Sequence, residues 1–137
     1  MNKICVFIPA LLITSCHVND PRPEIHRARV SVEEGDICVT LPGTKNESLS
    51  LLSINEIGHG ESMMNKEFTM ENSPGLSPGN CIDEFGFVFK PGHSYVFSVN
   101  TLRIKKDHTI TNGNSYSVTF SLWKVNGELQ VKDINSL

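Results

Sequence analysis

The sequence is poor in basic residues, and this argues against a nucleic-acid-binding protein. Its 12 Lys and Arg are outnumbered by 15 Asp and Glu, for a formal net charge of −3, whereas nucleic-acid-binding domains usually carry a basic excess. Alanine is scarce, while Leu, Ile, Val, Phe, Thr and Ser are plentiful, which favours strands over helices. No apolar run reaches the roughly 20 residues of a transmembrane helix. With 137 residues, 39% of them hydrophobic, the chain has the size of one globular domain.

The N-terminal residues resemble the export signal of a bacterial lipoprotein. Lys3 precedes an apolar run over residues 4–13, which has the length of a signal-peptide core. The run ends in Ile13-Thr14-Ser15-Cys16, which resembles a lipobox, in which the cysteine receives a diacylglycerol. We expect a signal peptide over residues 1–15, a lipid on Cys16, and a Pro-rich tether over residues 16–23. An ordinary signal peptide with a chance cysteine is the alternative.

The residue after the expected lipid site bears on the location of the protein. His17 follows Cys16, whereas an Asp there would resemble a signal for retention in the inner membrane. We therefore expect the protein in the periplasm, anchored by its lipid to a membrane. The absence of an Asp after Cys16 favours the outer membrane over the inner membrane.

The cysteines agree with an oxidising compartment. Once Cys5 is removed with the signal and Cys16 carries lipid, Cys38 and Cys81 remain. An even remainder in an exported protein predicts one disulfide, and closing a loop of this length contributes on the order of 4 kcal/mol in the chain-entropy description. The sequence has no CxxC pair, so a thioredoxin-like redox motif is excluded. Whether the bridge joins two sheets or ties a loop to an edge is left open.

Residues 24–137 predict an all-β domain, an antiparallel β-sandwich of the immunoglobulin or fibronectin type III kind with about seven to eight strands. Short runs alternate apolar and polar side chains and are separated by Gly, Pro and Asn. The expected strands cover residues 28–32, 37–41, 49–57, 63–70, 85–89, 95–99, 116–123 and 128–134. In the fourth of these, Phe68 and Met70 are expected to face the core. Asn126-Gly127 predicts a tight hairpin turn, since both residues tolerate positive φ.

Residues 89–95, with the sequence FKPGHSY, resemble the tyrosine corner of immunoglobulin-like domains. In that corner a tyrosine hydroxyl is hydrogen-bonded to backbone a few residues upstream. We therefore expect Tyr95 to be tied to the preceding loop. A chance Pro-Gly turn before an aromatic strand is the alternative.

No motif predicts an enzyme, a cofactor or a metal site. Residues 58–62 lack the G-x-S-x-G pattern of a nucleophile elbow, and His59 is interpreted as a loop residue. The histidines are far apart and never at metal-ligand spacing. Asp83 and Glu84 are interpreted as a solvated turn. The Phe85, Phe87 and Phe89 side chains are expected to belong to the core.

Turn-rich segments are the candidates for a binding surface. They cover residues 58–62, 71–80 and 105–114, and the last ranks first because it is long, polar and mixed in charge between two strongly patterned strands. A merely solvated connector is the alternative for each of them. The partner-binding residues expected in the first-ranked segment are Lys105, Lys106, Asp107, His108 and Asn112.

Six further features, in the same order, carry a resemblance to one family. They follow the Cys16 start and are residues 19–23 (NDPRP), 30–32 (VSV), 37–42 (ICVTLP), 76–81 (LSPGNC), 85–92 (FGFVFKPG) and 120–131 (FSLWKVNGELQV). Over nearly its full length the chain resembles the small enterobacterial lipoproteins described as type VI secretion immunity periplasmic lipoproteins.

That resemblance implies a protein that binds and neutralises an effector toxin in the periplasm. Such an inhibitor needs a rigid scaffold and a partner-shaped surface rather than catalytic groups. Two other functions stay open at this point. One is a structural or accessory envelope lipoprotein, or an adhesion module. The other is a carrier of a small ligand or glycan, which a deep apolar pocket would favour.

Overall fold

The computed structural model describes residues 25–43 and 46–134, and their regular structure is entirely β. The expected signal peptide, lipid site and tether lie outside these residues, so those predictions stay predictions. Among the described residues there is no helix long and apolar enough to cross a membrane. The strands are β1 (Ile25–Arg27), β2 (Arg29–Glu33), β3 (Asp36–Thr40), β4 (Glu47–Glu56), β5 (His59–Glu67), β6 (Ser94–Ile104), β7 (Ile110–Val125) and β8 (Glu128–Asp133).

The strands form two sheets, which confirms the predicted β-sandwich. The larger sheet has six strands in the order β1-β7-β6-β4-β5, with β8 also paired to β7, and the smaller sheet pairs β2 with β3. Pairing is antiparallel except between β1 and β7. β1 lies beside residues 115–117 of β7 and β8 beside residues 120–125, so the two share one edge of that long strand.

The core lies on the inner face of the larger sheet. The buried side chains of β4, β6 and β7 are register partners, so they lie side by side on that face. Their register places three rows of side chains side by side, and alternate residues of a strand point to the same face. These rows are Leu52–Val99–Tyr116, Ile54–Phe97–Val118 and Glu56–Tyr95–Phe120. Ile37 and Val39 of β3 belong to the same core cluster, with Val30 and Val32 of β2 packed against it.

The disulfide between Cys38 and Cys81 is present, as the cysteine count predicts. It ties β3 to the loop between β5 and β6, so the bridge holds a loop onto the smaller sheet rather than joining the two sheets. The adjacent Ile82 N–H donates to the carbonyl of Val39 at 2.8 Å. Glu33 Oε2 lies 3.4 Å from Cys81 Sγ, but that sulfur is oxidised and has no proton to donate.

The tyrosine corner is also present. The backbone N–H of Lys90 donates to the Tyr95 hydroxyl at 2.8 Å, and the Gly92 N–H donates to the carbonyl of Leu122 at 2.7 Å. Burial raises the pKa of Tyr95, the hydrogen bond from Lys90 lowers it, and the nearby Glu56 carboxylate raises it again. The corner therefore fixes the start of β6 against β7.

The predicted strand over residues 85–89 is wrong. Phe85 and Gly86 both have positive φ, 50° and 82°. They form a turn within the segment in which alternating aromatic side chains predict a strand. Asp83 supports the turn, since its Oδ1 accepts the Phe85 N–H at 2.8 Å. The three aromatic side chains of the segment are half-buried and pack against the core, so their predicted core role is confirmed without the strand.

The bounds of β5 also differ from the prediction. β5 begins at His59 and ends at Glu67, directly after the turn at Ile57 and Gly58. His59 is therefore a strand residue, not a loop residue. Phe68 packs against the core, but Met70 is 52% exposed because the strand has ended before it.

Candidate functional site: a braced hairpin

The hairpin formed by β6 and β7 ends in an exposed, charged tip. Ile104 pairs with Ile110 as the last register pair, and residues 103–110 are all exposed. The loop that sequence analysis places over residues 105–114 is therefore shorter, because β7 begins at Ile110. Asn112 lies on that strand, while the other predicted partner-binding residues form the turn.

Local hydrogen bonds give the tip one conformation. The Lys105 N–H donates to the carbonyl of Thr109 at 2.8 Å, and the His108 N–H donates to the carbonyl of Lys105 at 2.9 Å. Asp107 Oδ1 accepts the Thr109 N–H at 3.1 Å and also the Thr109 hydroxyl. These bonds from Thr109 lower the pKa of Asp107, so its carboxylate is charged at neutral pH.

A buried carboxylate braces the base of this hairpin. Glu47, the first residue of β4, is 2% exposed. Its Oε1 accepts the Thr101 hydroxyl and the Asn114 side-chain amide, both at 2.9 Å, and its Oε2 accepts the Tyr116 hydroxyl at 2.9 Å. The half-exposed Arg103 places Nε 3.7 Å from Oε1. A buried charge requires such donors, because an unpaired one is costly.

The network links β4, β6 and β7 at one end of the larger sheet. Thr101 Oγ1 also accepts the backbone N–H of Asn114 at 2.9 Å, and this contact needs a glycine beside it. A Cβ on Gly113 would lie 2.2 Å from Thr101 Oγ1 and 2.9 Å from its backbone. Burial raises the pKa of Tyr116, the hydrogen bond with Asn114 lowers it, and the Glu47 carboxylate raises it again.

A shallow groove runs beside the tip. Its lining includes Gly43, Asn46, Arg103, Lys105 and Lys106. Three of these side chains are cationic, whereas Asp107 is the one carboxylate of the turn. The tip therefore presents basic charge, flanked by the exposed Ile104 and Ile110 pair, on a chain that is acidic overall.

The structure places the sequence-predicted residues in two groups. Lys105, Lys106, Asp107 and His108 lie together at the tip, while Cys38 and Cys81 form the disulfide on the smaller sheet. Sequence reasoning missed Glu47. The pairing of β4 with β6 shifts register between Leu49 and Leu51. This shift interrupts the apolar–polar alternation of β4, so the alternation in the sequence does not predict that Glu47 faces inward.

Taken together, these features define a small all-β sandwich domain that is stapled by one disulfide and carries a braced hairpin. The chain belongs to the family described as domain of unknown function (DUF7480), whose match covers residues 25–125. That range extends from the start of β1 to the end of β7, so the family domain includes the hairpin and its brace. No curated protein and no solved structure matches the chain.

Proposed function

We propose that this protein is a lipid-anchored periplasmic immunity protein, which binds and neutralises an effector toxin delivered by type VI secretion. The observation that carries the proposal is the exposed β6–β7 hairpin tip on a buried, hydrogen-bonded base. It is supported by the resemblance of the chain to immunity lipoproteins and by the lipobox-like sequence at Cys16. The mechanism is inhibition by binding and requires no catalytic group.

The brace matters because binding is weakened when flexible groups must be ordered. Fixing the backbone of one residue in a single conformation costs roughly 1–2 kcal/mol of conformational entropy. The turn bonds of Asp107 and the Glu47 network hold the tip backbone before any partner arrives, so less order has to be gained on association. A pre-ordered hairpin can enter a concave site and block it.

The charge of the tip indicates the surface it would meet. Lys105 and Lys106 lie beside Arg103 along the groove, so an acidic cleft on the toxin is the complementary surface. Charges at an interface rim mainly set the association rate and its salt dependence. Ile104 and Ile110, which are 45% and 44% exposed, would supply the apolar contact at the centre.

Co-expression with an effector encoded beside this gene tests the proposal. The wild-type protein should suppress periplasmic killing, and the double variant Lys105→Glu/Lys106→Glu should lose protection. The matched control is Lys124→Glu/Lys132→Glu, which makes the same change in net charge at exposed positions on the opposite end of β7 and on β8.

The outcomes separate binding from general charge effects. Loss of protection by the tip variant alone supports the hairpin as the inhibitory surface. Equal loss in both variants would contradict it, and so would full protection by the tip variant. Affinity measured with purified toxin should fall in parallel with protection, because the mechanism is binding.

A further inference from the structure

A second buried glutamate lies at the other end of β4. Glu56 is the last residue of that strand, and its side chain is only 4% exposed. The strand register pairs it with Tyr95 of β6 and with His59 of β5. It therefore faces inward at the end of the sheet opposite the braced hairpin.

Two histidines converge on this carboxylate. His59 opens β5 immediately after the β4–β5 turn, and His93 precedes β6 immediately after the Pro91-Gly92 turn. Their ring centroids are 5.7 Å apart, and His93 Nδ1 contacts Glu56 Oε1. The tyrosine corner and the hydrogen bond of 2.8 Å from the Ile57 N–H to the Ser94 carbonyl hold the two turns together.

The two buried glutamates of β4 differ in the hydrogen bonds that their carboxylates accept. Glu47 accepts hydrogen bonds from three neutral side chains. Within the described part of the chain, Glu56 Oε1 is instead the one buried side-chain oxygen or nitrogen without a hydrogen bond, and the polar group beside it is the His93 ring. A buried carboxylate oxygen is stabilised by a hydrogen-bond donor, a charged partner or a metal ion, and both side chains beside this one are imidazoles, which can bind a metal.

We propose that Glu56, His59 and His93 bind a divalent transition metal of the Zn²⁺ class. Two imidazole nitrogens and one carboxylate are a common ligand set for such ions. The buried Glu56 would supply the negative charge, and the half-exposed His93 and exposed His59 would admit the ion from solvent. Three protein ligands leave a fourth position open for water or for a donor from a partner.

The geometry allows this with little movement. The ligand atoms of the three residues all lie within 4.8 Å of one another. Two atoms bonded at about 2.1 Å to one tetrahedral Zn²⁺ are about 3.4 Å apart, so a shift of up to about 1.5 Å closes the site. The exposed His59 ring can make that shift. The cluster of Glu33, Cys38 and Cys81 offers no comparable site, because both its sulfurs belong to the disulfide.

Zinc titration of the protein purified from its host and stripped of metal tests the proposal. Isothermal titration calorimetry should show one Zn²⁺ per chain. His59→Ala and His93→Ala should each weaken binding at least about tenfold, since even the hydrogen-bond partners of metal ligands contribute 10–100-fold. His108→Ala is the matched control, because it removes another exposed histidine at the hairpin tip.

A stability measurement guards against misfolded variants. Zinc should raise the Tm of the wild type and of His108→Ala, because an ion that binds only the folded state stabilises it. At the same zinc concentration the ion should raise the Tm of His59→Ala less than that of the wild type, while the metal-free Tm of this variant stays near that of the wild type, since His59 is exposed. Absence of a 1:1 complex in the wild type, or wild-type affinity in both histidine variants, would overturn the proposal. The toxin-binding proposal does not depend on this outcome.

Discussion

Replacing Glu47 by Leu should destabilise the fold by about 1–4 kcal/mol, because it strands one buried donor and removes the best acceptor of two others. Three side-chain donors lie 2.9 Å from it, on Thr101, Asn114 and Tyr116. Thr101 and Asn114 each have a second acceptor, the carbonyl of Asn114 at 3.3 Å and the Tyr116 hydroxyl at 3.4 Å, which leaves the Tyr116 hydroxyl as the one donor without an acceptor. Each stranded buried donor costs about 1–3 kcal/mol, and the half-exposed Arg103 adds less than about 1 kcal/mol.

Urea unfolding followed by far-ultraviolet circular dichroism measures this loss as a fall in the midpoint at constant m-value. Two control variants are measured beside Glu47→Leu. Glu67→Leu removes an exposed carboxylate from β5 and should change stability by no more than about 0.5 kcal/mol. Glu56→Leu removes a buried oxygen that accepts no hydrogen bond, so in metal-free protein it should cost less than about 1 kcal/mol. A loss for Glu47→Leu no larger than that for Glu67→Leu would refute the bracing role.

Four further predictions use the same unfolding assay. Tyr95→Phe removes the corner acceptor and should cost about 1 kcal/mol; an unchanged midpoint would count against the corner. Cys38→Ala combined with Cys81→Ala should lower stability by on the order of 4 kcal/mol, and a reductant should then have no additional effect. Gly113→Ala forces a side chain against its neighbour and should cost about 1–3 kcal/mol; wild-type stability would mean that the contact relaxes freely. Because burial raises the pKa of both Tyr95 and Tyr116, the folded state holds protons that the unfolded chain loses above about pH 10, so stability should fall as pH rises beyond it. These are the only two tyrosines, so phenolate absorbance on folded protein should report delayed ionisation for both.

The features that sequence alone predicts correctly are those fixed by local geometry. Alternation through Tyr95, Phe97 and Val99 requires one face of a strand to be buried, and the structure has those residues in the core. The turn at Asn126 and Gly127, both with positive φ, depends on residues that tolerate that conformation. The disulfide follows from counting, since setting aside Cys5 and Cys16 of the expected signal peptide and lipid site leaves Cys38 and Cys81, which allow one pairing.

The features that sequence misses depend on contacts between distant segments. Residues 111–114 carry no apolar side chain and their composition predicts a loop, yet they are strand because β6 lies beside them and Glu47 accepts a hydrogen bond from the Asn114 amide. The alternation around Phe85 predicts a strand, because alternation cannot reveal a turn made by two residues of positive φ. His59 and His93 are far apart in the chain, and only the pairing of β4 with both β5 and β6 brings them to Glu56.

The two proposed sites lie at opposite ends of one strand, and this makes their tests independent. β4 extends from Glu47 to Glu56, so the carboxylates are roughly 30 Å apart at about 3.3 Å per residue. The Debye length at physiological salt is about 8 Å, so a charge reversal at Lys105 and Lys106 is screened from the histidine end. The packed rows of core side chains between the two ends are also retained in every variant of either site. Zinc affinity should therefore be unchanged in the tip variant. If that affinity changed, the core would transmit strain between the ends of β4, and the hairpin and the metal would have to be treated as one coupled unit.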